Sequence, residues 1–436
     1  MRRTTQHKAL AAAAWLAAPA AAMAQTVAIT GGTVYPVSGP RIENGTVLIR
    51  DGRIAAVGRD VPIPAGAERI DATGKWVTPG LFNAVTRLGI VEVGAVAETR
   101  DAIASGRDGI SAAFTVWDGF NPASVLLAPA RNDGVTTVGV VPGGGLIAGQ
   151  AAVVDLVPGP TSDMVRRASA AMVATMVPPG GGGDGQGPAT RGELQVRLRE
   201  LLADTRAYMR NRAAYERAET REFAASRADL EAMIPVAEGR LPLLIQADRA
   251  SDIDAALRLA RELDLRIIIG GGAEAWMMGS QLAAARVPVF TGAMNNIPTG
   301  FTTLGSLQEN VGLLRRAGVQ VVVIGNAGGG DEETFNARNV RYEAGNAVAY
   351  GATWDDALRA VTLTPAEVLG VAERIGSLTV GKDANVVVWS GDPFEFQTDA
   401  EHVLIRGRSV KAPSRQDLLM ERYRTLAPNY YRPPPR

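Results

Sequence analysis

Two periods of hydrophobic and polar residues divide this chain. From residue 27 to residue 78 apolar and polar positions alternate in short runs, VAITGGTVYP, GTVLIRDGRIAAVG and ERIDATGKWVTPG. A period of two places successive side chains on opposite faces of a strand. Asp51-Gly52 sits between two of these runs, and that dipeptide tolerates the positive φ angles of a tight hairpin. Residues 377–410 have the same character in SLTVGKDANVVVWSGDPF and HVLIRGRSV. Small all-β pieces at both ends predict one β domain assembled from both termini.

The middle of the chain reads differently. From 241 to 351, LPLLIQA, LRIIIG, VPVFTG and VQVVVIG alternate with helix-like stretches at 251–263, 273–285, 306–317 and 335–350. Apolar β-branched runs separated by helices predict parallel strands buried on both faces. Ser251-x-x-Asp254, Ser306-x-x-Glu309, Thr353-x-x-Asp356 and Thr364-Pro365-x-Glu367 fit helix starts with a hydroxyl cap and an acid three residues on. These are four βα units, half of an eight-stranded barrel. The other half falls to 79–240, with VTPGLFNAV, GVTTVGVVPGG and QAAVVDLV as strands. The span 160–230 reads as an insertion. Its PPGGGGDGQGPATRG segment (178–192) is a Gly/Pro-rich loop, and 193–223 is a charged helix with Leu194, Leu198, Leu201, Leu202 and Met209 on one stripe. Such an insertion either covers a barrel mouth or is a surface excursion. The expected fold is therefore α/β: a TIM-like (β/α)8 barrel over 79–376 plus a small β-sandwich built from 25–78 and 377–412. A tail follows at 413–436, and its closing RPPPR has the composition of a polyproline-II or disordered segment.

Composition narrows the chemistry. The chain has 436 residues, no cysteine and two histidines, His7 and His402. Disulfides, thiolate metal sites and a cysteine nucleophile are excluded. Residues 1–24 read as a secretory signal peptide. Arg2, Arg3 and Lys8 precede an apolar stretch from Ala9 to Ala22, and Ala22-Met23-Ala24 is a small-x-small cleavage site. The alternative is a retained N-terminal anchor. Cleavage leaves 42 positive and 45 negative side chains, and one histidine, His402. A periplasmic or secreted location is expected, with no transmembrane segment after cleavage. No nucleic-acid partner is expected from this charge balance.

Several motifs together resemble the amidohydrolase superfamily, near its imidazolonepropionase-like and prolidase-like members. They are GKWVTPGLFNAVTRLG (74–89), the stretch around ADRASDI (247–253), NARNVRYEAGNAVAYG (336–351) and ALRAVTLTPAEVLGVAERIGSLTVGKDANVVVWSGDPF (357–394). The resemblance implies a metal-dependent hydrolase barrel flanked by a β-sandwich. It also implies a His-x-His pair after the first barrel strand, where this chain has Val85 and Arg87, preceded by Asn83 instead of Asp. Gln246 and Gly271 stand where the resemblance implies fifth- and sixth-strand histidines, and Asn326 where it implies the last-strand aspartate. Valine has no lone pair, arginine is a permanent cation, and amides are weak neutral ligands. No family-type metal site is expected.

Active sites of this fold lie at the C-terminal strand ends. Candidate binding residues there are Asn83, Arg87, Gln246, Arg249, Glu274, Asn295 and Asn326, and candidate acids are Asp248 and Asp331. Arg87 and Arg249 could clamp a carboxylate, or Arg87 could pair internally with Asp248 or Asp331. The Gly143–Gly145 loop could approach an anion or be a plain turn. Asp331-Glu332-Glu333, with Asn326 and Asn295, could hold a divalent cation or form a solvated turn. Asn336, Arg338, Asn339, Arg341 and Glu343 read as a network tying the barrel closed. His402, near a strand start in the β domain, is expected to be structural. With no histidine in the barrel, a Ser-His-Asp triad is excluded.

Two functions follow. The first is a catalytically silent barrel that binds a small polar ligand or peptide, or assembles as a homo-oligomer or with an active homologue. The second is a hydrolase of carbon–nitrogen bonds using Asp248 and Asp331, or a carboxylate-held cation. No other cofactor is expected.

Overall fold

The computed structural model describes residues 26–177, 190–294, 297–298, 300–325 and 333–424. The expected signal segment, the closing RPPPR, Asn295, Asn296, Asn326, Asp331 and Glu332 lie outside the described residues, as does most of the Gly/Pro-rich loop.

Five strands open the chain: β1 (Thr26–Val34), β2 (Ile42–Arg50), β3 (Arg53–Gly58), β4 (Glu68–Asp71) and β5 (Trp76–Pro79). Eight follow in the middle: β6 (Leu81–Thr86), β7 (Val135–Val140), β8 (Ile147–Asp155), β9 (Val165–Thr175), β10 (Leu243–Ala247), β11 (Ile267–Gly271), β12 (Val289–Thr291) and β13 (Val321–Val323). Three close it: β14 (Val386–Trp389), β15 (Ala400–Ile405) and β16 (Arg408–Ser409).

The terminal strands form one sheet in the order β16-β15-β14-β5-β1-β2-β3, with β4 also on β1. Its seam is the antiparallel β5–β14 pair, which joins the two ends of the chain. The β2–β3 hairpin turns at Asp51 and Gly52, both at positive φ (52° and 75°), as the alternating pattern predicts. Ile29, Val47, Ile49 and Val77 from the front of the chain share a core with Val386, Val388 and Leu404 from the back.

The middle strands form the barrel sheet in sequence order from β6 to β13, and β13 lies beside β6. Alternation explains the double burial. Leu244, Ile268, Phe290 and Val322 point into the lumen, while Leu243, Ile245, Ile267, Ile269, Val321 and Val323 pack outward against the helices. Ala366, Val368, Leu369, Val371 and Ile375 belong to the same lumen cluster. They enter at the end where strands begin, since Phe82 N–H donates to Val361 O at 2.8 Å.

Three details depart from expectation. First, β8 runs antiparallel to both β7 and β9. The barrel thus contains a three-stranded meander instead of a uniform repeat. Second, β9 and the helix Arg191–Arg210 fall inside the span read as an insertion, yet β9 pairs parallel with β10. That helix docks on the helix Ala250–Leu263 through Arg191 Nε to Asp252 Oδ1 (2.8 Å), so the span supplies barrel structure. The helix also stops at Asn211, which caps the next short helix, and its buried stripe ends on Tyr208, with Met209 exposed. Third, of the four cap signals only Thr353 acts as read, accepting from Asp356 N–H at 3.0 Å. Ser251 and Thr364 lie within helices, and the Ser306 segment enters its helix only at Asn310. Thr190 and Ser226 supply caps instead.

A charge network ties the barrel to the terminal sheet. Fully buried Asp155 accepts from Thr137 Oγ1 (2.9 Å), Arg166 Nε (2.5 Å) and Arg406 Nε (3.1 Å). Arg166 Nη1 also reaches Asp383 (2.5 Å), which pairs with Arg374 (2.8 Å).

Candidate functional site

The C-terminal strand ends converge on a face whose inner ring is apolar. On β6, Val85 is only 5% exposed and belongs to the lumen cluster with Val141, Ala148 and Ile324. Asn83 is fully buried, and its Nδ2 donates to Ala337 O at 2.9 Å, linking the first strand to the segment after the last. Arg87 Nε lies 3.1 Å from Glu333 Oε2. The same residues are joined through the backbone, Arg87 N–H to Glu333 O. Among the described residues Arg87 thus pairs with Glu333 and not with Asp248; Asp331, the other internal partner weighed from sequence, lies outside the described residues. Its guanidinium lies across the Gly143 loop, where a Cβ on Gly143 would stand 3.1 Å from Nη2. Gly143 N–H donates to Ala102 O at 2.9 Å, so that donor is engaged by the long segment between β6 and β7.

On the opposite side, β10 and β11 bring Gln246, Asp248, Gly271 and Glu274 together. Gln246 lies against Gly270. Gly271 has φ +84°, and a Cβ there would fall 2.4 Å from Asp248 Oδ1. An imidazole at this position would therefore collide with Asp248 and strain the backbone. Burial pushes the Asp248 carboxyl above the usual carboxylate range; the Ala273 N–H opposes the shift, and Asp252 and Glu274 add to it. Glu274 is used structurally. Its Oε2 accepts from Ala250 N–H (2.9 Å) at the start of the helix Ala250–Leu263, and its Oε1 accepts from Gly305 N–H (3.0 Å). Arg249 donates from Nη2 to Phe301 O at 2.8 Å. Arg87 and Arg249 are thus engaged by different loops.

Sequence reasoning missed two residues near this face. Asn310, fully buried, donates from Nδ2 to Gly272 O at 3.0 Å, and no motif announced it. Glu333 emerges as the partner of Arg87, where the run of three acids had not distinguished one from another. The network expected from 336–343 is present in part. Buried Glu343 accepts from Ala293 and Met294 N–H (2.5 and 2.7 Å), holding the turn after β12. Arg341 donates to Thr398 O (2.8 Å), and Arg338 pairs with Asp133 (3.2 Å). His402 sits on β15 opposite Val388, outside the barrel.

The residues at the four described positions where the sequence resemblance implies metal ligands do not fit a divalent ion. Val85 offers no donor, Arg87 is cationic, Gln246 is a neutral amide and Gly271 has no side chain. Among the described residues no group of three His, Cys, Asp or Glu side chains could hold a metal. Nor is any described helix long and apolar enough to cross a membrane.

A model of the amidohydrolase family matches residues 312–410. The structure is similar to that of an amidohydrolase from Thermotoga maritima MSB8, with a TM-score of 0.77 and 28% identity, over 88% of this chain and 99% of the other. An imidazolonepropionase of Acidiphilium cryptum (strain JF-5) is 25% identical over 390 residues, 81% of this chain and 89% of that protein. A shorter match, 38% over 77 residues, is to the amidohydrolase tasK of Hapsidospora irregularis; it spans 18% of this chain and 8% of that protein. The barrel, the terminal sheet and these similarities agree, and together they support the amidohydrolase superfamily.

Proposed function

We propose that this chain is a periplasmic, non-hydrolytic member of its superfamily whose barrel mouth binds a small polar ligand, a peptide or a partner subunit. One observation carries the reading. Val85 packs into an apolar lumen at a ligand position, in a chain with no histidine between residues 8 and 401. A hydrolytic site of the family kind needs imidazole and carboxylate donors to lower the pKa of bound water. Arg87, Glu274 and Asn83, which face or flank the mouth, are already bound to protein groups.

A second reading, a carbon–nitrogen hydrolase with an atypical site, is favoured by one residue. A carboxyl raised by burial, as at Asp248, can hold a proton and deliver it to a leaving nitrogen. The relatives' names, imidazolonepropionase among them, fit that class.

Metal content of the purified mature protein, measured with turnover on imidazolone propionate, dipeptides and cyclic amides, separates the two. The first reading expects no stoichiometric zinc, manganese or iron and no turnover above buffer. Stoichiometric metal whose removal abolishes turnover overturns it. Metal-independent turnover that Asp248→Asn abolishes establishes the second. N-terminal sequencing of the periplasmic fraction tests the location and should begin at Gln25.

A further inference from the structure

A second concavity, of about 890 Å³, lies away from the barrel mouth, where β1 and β5 meet the helix Trp354–Ala360. Tyr35, Trp76 and Trp354 line it as a cluster of three rings, with centroids 4.8 Å (Tyr35–Trp76), 4.6 Å (Tyr35–Trp354) and 5.4 Å (Trp76–Trp354) apart. Both tryptophans remain part-exposed. At the rim stand Pro40, Arg41 and Asp355. Arg41 pairs with Glu43 at 3.2 Å, and the neighbouring Asp356 pairs with Arg315 at 2.7 Å. Asp355 is exposed and makes no ion pair among the described residues. The cleft thus combines flat aromatic faces with one available carboxylate.

Such faces suit a polyproline-II strand, whose preformed backbone loses little entropy on docking. A carboxylate beside them suits an arginine flanking the prolines. The chain carries that ligand itself: Arg432-Pro433-Pro434-Pro435-Arg436, with two cationic side chains and no acidic one. We propose that this C-terminal segment docks in the cleft of its own chain, prolines on the part-exposed Trp76 and Trp354 rings and an arginine at Asp355.

The route is short. Lys411 Nζ donates to Ala400 O at 2.6 Å. Ala400 pairs with Trp389, and Trp389 pairs with Trp76. The chain therefore leaves the sheet about 10 Å, or two strand spacings, from the cleft. The helix Arg415–Arg424 adds about 15 Å. Residues 425–436, as polyproline II, cover about 37 Å.

The test titrates a fluorescein-labelled peptide of residues 427–436 into two full-length proteins, the unaltered chain and one with Pro433→Gly, Pro434→Gly and Pro435→Gly, read by anisotropy. A tethered tail acts at an effective concentration on the order of millimolar and should block the cleft. The triple-glycine chain is expected to bind the peptide at least tenfold more tightly than the unaltered chain. Adding Asp355→Lys, at an exposed position, should weaken that binding at least tenfold. The proposal is overturned by any of three results: no saturable binding to either chain, equal binding to both, or indifference to Asp355→Lys. A dimer in light scattering that the triple-glycine tail abolishes overturns docking within one chain and assigns the tail to a second copy.

Discussion

The two ends of the barrel treat charge in opposite ways. Where the strands begin, Asp155, Asp383, Arg166, Arg374 and Arg406 form one linked network, and both carboxylates are at least 96% buried, with side-chain exposures of 0% and 4%. Where the strands finish, buried Glu343 holds one turn, and Arg87, Arg249 and Glu274 stay half-exposed and make separate contacts: Arg87 on Glu333, Arg249 on a carbonyl, Glu274 on two N–H groups. The inner ring there is apolar. In a hydrolase barrel the finishing end is where polar groups concentrate. Here the junction with the terminal sheet holds the cooperative polar network, and the mouth has the local, separable contacts of ordinary loops.

That contrast can be broken by substitution. Asp155→Ala strands Arg166 and Arg406 in a buried junction and should cost roughly 3–5 kcal/mol, measured by urea unfolding. A cost below about 1 kcal/mol, the range of surface pairs, would remove the asymmetry between the ends. Val85→His places an imidazole in the apolar lumen and should cost about 1–3 kcal/mol. Thermal unfolding with and without zinc sharpens this case. Zinc is expected to return none of the loss, and full recovery would reveal partners that the described residues do not supply. Glu274→Ala leaves the Ala250 and Gly305 N–H groups without their acceptor and should cost about 1 kcal/mol. Gel filtration and circular dichroism should show the barrel otherwise unchanged.

The smallest effect is a pH dependence. An acid whose pKa is raised on folding binds its proton more tightly in the fold than in the unfolded chain. Its burial therefore costs stability as pH climbs above the unfolded value of about 3.9. Asp248→Asn removes that cost. The variant should be more stable than the parent at neutral pH, with the gain gone below about pH 3.9. Parallel stability curves across this range would show that Asp248 does not titrate differently in the fold.

Much of the architecture was legible because burial on two faces leaves a pattern. In LLIQA and IIIGG every position is needed, alternately by lumen and helices, and the runs stand out. The direction of β8 was not legible, since an apolar run such as QAAVVDLV reads the same in either orientation. β9 begins VRRASA, with polar residues serving the junction network, and lost its strand signature. Ser251 failed as a cap because Glu274, twenty-three positions on in the sequence, reaches the same helix start. At the mouth, the absence of histidine was visible in composition alone. The collision awaiting any side chain at Gly271 depends on where Asp248 points, and only geometry could reveal it.

The reversed strand also bears on how the barrel assembles. β7, β8 and β9 meet their neighbours through connections of 6 and 9 residues, whereas β9 and β10 are separated by 67. Loop closure opposes long-range pairing, so local antiparallel pairs form ahead of distant parallel ones. A barrel of uniform βα repeats has no such shortcut, because every ladder waits for an intervening helix. In this chain the meander can act as a seed on which β6 and β10 later dock. Pulse-labelled amide exchange during refolding should find β8 protected first, and simultaneous protection of all eight strands would deny it that role.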